Sequence, residues 1–393
     1  GKMGREERLI RPMGFPPARS KARTQRGVVF AALLLLVFLM LQLLRPAQLP
    51  SQHRQMAIGR QEQLKVLDPE SAPLQTAAKV TVGMYLENAY NLSVADQTFM
   101  ANGWYWLDWP AEVQKLLEEN KVKADELVQV VNNIVGYDFE IETESEEPEL
   151  KPNGWRHQRF QFSGHFYIDE LDLHESPFSL LSLPLMLEVR PAEFALNGDE
   201  PLVLVPEKDH SGLVGGFASI RGFNPVGVSF GALQHTYATA FGEDSGPLRQ
   251  SQVTLRVFYQ TPVFSAFLQW ILPLLIVMAV VFLAPSLEGS LGDLRIAIPS
   301  TALLTLVVMQ QTYQAELPPL SYLTFLDKLY LYSYLVSIGL FVLFVWGSNV
   351  YATAQDDQRD QAVAKVERAD SWFQVISLGG LLVVAWLSWT LAR

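Results

Sequence analysis

The densest group of polar side chains in an apolar setting lies between Ile296 and Ala315, where Ser300, Thr301, Thr305, Gln310, Gln311, Thr312 and Gln314 interrupt a bilayer-length run. Hydroxyls and amides are costly against lipid, so they must meet water or other protein groups. At about 100° per residue, Asp293, Ala297, Thr301, Leu304, Val308, Gln311 and Ala315 fall within one stripe of a helix. The stripe runs from a carboxylate through a small alanine and a hydroxyl to two apolar levels and then an amide. Repeated around a symmetry axis, it would line a water-filled pore, with an Asp293 ring favouring cations and an apolar constriction at Leu304 and Val308 that can dewet. Composition alone also allows a polar helix packed inside a monomeric bundle, its hydroxyls bonded to neighbouring helices.

Other chemistry is sparse. His157, His165 and His174 stand outside any H-E-x-x-H pattern, and neither a Gly-rich phosphate loop nor a nucleophile elbow is present, so neither an enzyme nor a cofactor is expected. The absence of cysteine removes disulfide and thiolate chemistry. The run "EIETESEEPE" has the carboxylate density of a hard-cation site and equally of a solvated edge, and no metal site is assigned to it. A net charge of −11 argues against a nucleic-acid partner.

Hydrophobic residues make up 49% of the chain, and the excess sits in long uncharged runs: 27–44, 263–285, 296–315, 329–346 and 372–391. Each is near the roughly 17–25 residues that span a bilayer, where only a helix satisfies its own backbone. Arg5, Arg8, Arg11, Arg19, Lys21, Arg23 and Arg26 precede the first run, the bias that keeps a flank cytoplasmic. The expected organisation is a basic tail over 1–26, a cleaved signal peptide or retained anchor helix over 27–45, a linker over 46–78, an all-β sandwich over 79–260 and a four-helix transmembrane bundle over 261–393. Its helices are expected near 263–285, 294–316, 325–347 and 372–392. The sandwich rests on short alternating stretches such as "KVTVGMYL", "FQFSGHFYI", "PLVLVP" and "QVTLRVFY", bounded by Gly, Pro, Asn and Asp. "PAEVQKLLEENKVKADELVQVV" interrupts it as one helical surface insertion starting at a proline. The segment 347–371 reads as a short polar loop whose Arg359, Lys365 and Arg368 place it in the cytoplasm.

Several motifs resemble the pentameric ligand-gated (Cys-loop) channel family. "LPPLSYLTFLDK" over 317–328 looks like the loop joining the family's second and third membrane helices, and counting back from Leu317 and Pro318 places Arg295, Leu304 and Asp293 at its basic, gate and charge-selectivity positions. "RFQFSGHFYIDELDLHESPFSLLSLPLMLE" resembles the signature loop, with Pro177 and Phe178 at its Pro-Phe centre and Asp169 and Leu183 where the cysteines of the bridge would stand, a bridge that bacterial members commonly lack. Phe99, Trp106 and Asp108 resemble elements of the first strands, and Pro273 the proline of the first membrane helix. The pattern is broken at Ser179, where the family has Asp, and before Pro262, where it has Arg.

The resemblance implies a homopentamer in a bacterial inner membrane, with its sandwich in the periplasm, passing monovalent cations and held among membrane lipid. A small-molecule or proton ligand would bind between sandwiches and shift a closed-to-open equilibrium by its difference in affinity for the two states. By the family's loop order, Tyr137, Phe194, Tyr237 and Phe241 would face Trp104 and Trp106 of a neighbour, under the hairpin "ATAFGEDSGPLRQ". The loop 169–183 and the loop holding Leu317, Pro318 and Tyr322 would transmit the change to the pore helices. A non-conducting membrane receptor or assembly subunit keeping the same fold is the alternative, since fold does not fix function.

Overall fold

The computed structural model describes residues 63–392 apart from 72–73, 137–138, 208–212, 240, 243–245, 288–291 and 356–358. The expected basic tail and N-terminal apolar helix lie outside the described residues, as does Tyr137. The described chain is β-sheet in its N-terminal part, followed by four long apolar helices.

Twelve strands form two sheets: β1 (Gln63–Val66), β2 (Ala78–Ser93), β3 (Thr98–Trp109), β4 (Val128–Val130), β5 (Glu140–Thr143), β6 (Glu149–Leu150), β7 (Arg156–Tyr167), β8 (Leu180–Val189), β9 (Leu202–Pro206), β10 (Val214–Phe217), β11 (Asn224–Thr236) and β12 (Arg249–Gln260). One sheet runs β1-β11-β12-β8-β4; the other runs β10-β2-β3-β7-β5, with β9 added to β2 and β6 to β7. Period-two alternation explains the core. Val80, Val82, Met84 and Leu86 of β2 and Phe160 and Phe162 of β7 meet Leu181, Leu183, Leu185 and Leu187 of β8 and Val253, Leu255 and Val257 of β12 in one buried cluster. β1 falls where a linker was expected. Its four residues pair with β11 from Gln63↔Thr236 to Val66↔Leu233, covering an edge that would otherwise be open.

The helical insertion is broken rather than continuous. α1 (Ala111–Glu119) begins after Pro110 and buries Val113 and Leu117; α2 (Ala124–Leu127) follows a turn in which Lys121 takes a positive φ of 55°. That left-handed residue ends the first helix, and Val128–Val130 leaves the insertion as a strand.

The apolar helices are α3 (Val263–Ser286), α4 (Gly292–Gln314), α5 (Phe325–Thr353) and α6 (Arg359–Ala392), each long and apolar enough to cross a bilayer, which makes this an integral membrane protein. α3 loosens into a π turn over Phe267–Ile271, ahead of Pro273, which has no N–H to give to the helical ladder. α5 and α6 both run well into the segment read as a polar loop. "DQAVAKVERAD" consists mostly of good helix formers, and Val366 and Asp370 on one of its faces are buried. The bundle core is built by Leu274, Met278 and Val281 of α3, Ala302, Leu306 and Tyr313 of α4, and Leu326, Tyr330, Leu340 and Phe344 of α5.

Candidate functional site

The two faces of α4 have opposite environments. Arg295, Pro299, Ala302, Leu306 and Tyr313 are buried against the bundle, whereas Asp293, Ala297, Thr301, Leu304, Val308, Gln311 and Ala315 are all exposed. Leu304 is 68% exposed and Val308 58%, so no part of the described chain covers the stripe. Midway along the other helices the uncovered faces are apolar, carrying Leu275, Ile276 and Val280 on α3, Leu335, Ile338 and Val342 on α5, and Ile376, Leu382 and Val383 on α6. These suit lipid tails; a face with a carboxylate, a hydroxyl and an amide does not. Some polar groups on α4 are satisfied within the chain. Ser300, Thr305 and Thr312 donate to carbonyls four residues back, and Gln310 accepts from the Tyr334 hydroxyl at 2.6 Å and donates to Asp327 at 3.4 Å.

At the end of α4 away from the sandwich, Arg295 is clamped from behind. Its guanidinium pairs with Asp370 of α6 and lies 4.1 Å over the Phe344 ring of α5. Arg295 is 3% exposed, which ties the start of the helix to both of its neighbours. Because α4 begins at Gly292, Pro299 falls inside it, and the Arg295 carbonyl has no helical N–H to accept from.

At the other end, the loop between β7 and β8 sits on the bundle. Pro177 is buried and follows a cis peptide bond, and the Phe178 ring packs on Phe325 at 6.3 Å and on Trp389 of α6 at 5.9 Å. Tyr313 near the end of α4 donates its hydroxyl to Ser176 at 2.8 Å and lies 3.0 Å from Thr324. In the loop between α4 and α5, the Tyr322 ring stacks on His174 at 3.8 Å, and its hydroxyl accepts from the Leu173 backbone N–H at 3.0 Å. Phe325 N–H donates to the His174 carbonyl at 2.8 Å. Leu317 packs against both the sandwich core and the bundle core, and Pro318 is buried. Asp169, at the loop's start, is held by Arg256 of β12 through bonds of 2.9 and 2.5 Å. Within the loop, the His174 backbone N–H donates to the Asp172 carboxyl and holds it below the usual carboxylate range. The loop is therefore bonded to α4, to the α4–α5 loop and to the strand that leads into α3.

The candidate ligand aromatics are scattered within one chain. Phe194 is fully buried in the sandwich core. Trp106 lies across Gly83, where a Cβ would meet its ring at 2.0 Å, and donates its indole N–H to Glu207 at 2.9 Å; Trp104 is half-buried on the same strand. Tyr237 and Phe241 stand together with ring centroids 5.3 Å apart, and Phe241 is exposed with a strained φ of 53°. Behind them is a buried polar cluster: Glu188, fully buried, accepts from the Tyr237 hydroxyl at 2.5 Å and lies 2.6 Å from His235 Nδ1.

Compared with known protein families and with curated proteins, the chain matches none.

Glu188 and His235 escaped the sequence reading. The available signal was a lone carboxylate inside the apolar strand "LLSLPLMLEV", a position that demands a hydrogen-bonding partner once buried. Asp327, which caps α5 and meets Gln310 and Gln314, is a second such case. Among the described residues no group of three or more His, Cys, Asp or Glu is placed to hold a metal ion, and within "EIETESEEPE" Glu144 pairs instead with Arg159.

Proposed function

We propose that this chain is one subunit of a homopentameric, ligand-gated, cation-selective ion channel of the Cys-loop type, with α4 lining the pore. The observation that carries the reading is the uncovered stripe: seven positions at helical spacing, Asp293 to Ala315, all exposed on a face whose polarity is unsuited to lipid. Five such faces turned to a common axis would put Asp293 at one mouth, Leu304 and Val308 at the constriction, and Gln311 and Ala315 at the sandwich end. The bonded loop at Pro177 and Phe178 supports the gating half of the reading, since a ligand-driven shift of the sandwich can reach α4 directly through the hydroxyls of Ser176 and Tyr313. The motif resemblance points the same way, and with it the inner membrane, the periplasmic sandwich and a small-molecule or proton ligand.

The experiment is current recording from purified protein in planar bilayers during a screen of candidate ligands and of acid. Wild type should pass cations under some stimulus, and Leu304→Ser, which wets the constriction, should open at lower stimulus. Silence of both proteins under every stimulus would leave the non-conducting receptor standing.

A further inference from the structure

Below the sandwich, where it meets the bundle, lies a cavity of about 200 Å³ to which the proposed gating junction contributes walls but which that reading gives no ligand. Its walls come from Val94 beyond β2, from Pro177, Ser179 and Leu181 after β7, from Phe223, from Thr261 just ahead of α3 and Trp270 within it, and from Tyr313, Glu316 and Leu317. An apolar void of roughly 150 Å³ accommodates a benzene ring. This one has room for a single ring and a short chain.

Two groups in it ask for a partner. Ser179 is 6% exposed, and its hydroxyl is a buried polar atom with no hydrogen-bond partner. Glu316 is an exposed residue at the rim, and no side chain among the described residues pairs with its carboxylate, which desolvation alone raises above the usual range. The described lining holds no Lys, Arg or His. Glu316 is thus the one Asp, Glu, Lys, Arg or His in the described lining, and an acidic group at the rim disfavours an anion. Trp270 and Phe223 bring aromatic rings to the lining, and aromatic rings attract cations.

We propose that this cavity binds a small protonated amine carried on one aromatic ring, its ammonium at the rim with Glu316 and near the Ser179 hydroxyl, and its body against Trp270, Phe223 and Leu317. The site is separate from the Tyr237 and Phe241 region, and its occupancy does not depend on the protein conducting. Because its walls belong to both sandwich and bundle, a bound amine also favours whichever arrangement keeps them together.

The test is equilibrium dialysis of the whole protein in detergent against radiolabelled phenethylamine at neutral pH, with 2-phenylethanol as the uncharged body of the same shape. Saturable binding of one amine per chain is expected. Glu316→Gln, a rim change that should fold normally, should weaken it by about tenfold and leave 2-phenylethanol unaffected. Ser179→Leu, which fills the void, should abolish binding; if that variant does not fold, Glu316→Gln decides alone. Amine binding untouched by Glu316→Gln overturns the proposal, by placing the amine elsewhere. Equal binding of the alcohol overturns the cation assignment, and absence of saturable binding leaves the cavity to water. A protein that binds the amine through Glu316 but carries no current under any stimulus refutes the channel reading and leaves this one intact.

Discussion

Asp293 and Arg295 are two positions apart on α4 and meet opposite environments, one turned outward and the other locked into the bundle. Asp293 is exposed on the uncovered stripe, so its charge costs the folded chain little. Arg295 is buried and paired with Asp370, itself 5% exposed. Removing one partner of a buried pair strands the other charge, a loss of about 3–5 kcal/mol. Asp370→Ala should therefore lower the unfolding temperature in detergent markedly. Asp293→Lys should leave that temperature nearly unchanged while weakening or inverting cation preference, read from reversal potentials in asymmetric salt. Equal thermal effects of the two substitutions would remove the distinction, and an unmoved reversal potential would take Asp293 out of the selectivity role. The stripe was legible because helical spacing and residue polarity are local properties. The Asp370 partner was not, because it lies 75 residues away on a helix whose polar half resembled a loop.

Among the elements, α5 has the most defined beginning. Thr324 is its N-cap: its hydroxyl accepts from the Asp327 backbone N–H at 3.1 Å, Asp327 in return accepts from the Thr324 backbone N–H at 3.1 Å, and the Tyr313 hydroxyl lies 3.0 Å away. This reciprocal cap fixes the start of the helix and also ties it to α4, so the cap is part of the junction with the sandwich. Thr324→Ala should cost about 1–2 kcal/mol, measured as a shift in the denaturation midpoint, with Thr324→Ser recovering most of it because the hydroxyl is kept. A serine variant as unstable as the alanine one would assign the effect to the lost methyl packing instead. Element type was readable for the long strands and the membrane spans: period-two alternation marked β2, β7 and β12, and uncharged length marked the four membrane helices. Element ends were less readable. Hydropathy marks only the lipid-matching part of α6, whereas the helix continues through "DQAVAKVERAD" on propensity and one buried face. β1 was missed because four residues carry too few alternations to stand out, and its place is fixed by the edge of β11. The Glu188, His235 and Tyr237 cluster joins residues nearly fifty apart across three strands, which no local pattern records.

At the scale of the molecule, one chain leaves its least lipid-compatible face uncovered. Thr301 and Gln311 of α4 are exposed, whereas the uncovered faces of the flanking helices present Leu275, Ile338 and Leu382. Polar groups left in hydrocarbon without partners are strongly disfavoured, so the isolated chain is an incomplete structure in a bilayer. Either other copies enclose this face around water or a different protein covers it. Rotational symmetry meets the need with a single chain, because the same stripe brought to an axis by each copy encloses its own aqueous path. For the pentamer proposed above, native mass measurement in mild detergent should give a single species of five chains. Asp370→Asn, which loosens the anchoring of α4 without touching the stripe, should shift the population toward smaller species if the orientation of α4 governs assembly. A wild-type protein that stays monomeric in the detergent that preserves its fold would exclude a pore built by symmetry, because the exposed stripe would then have no copy to face.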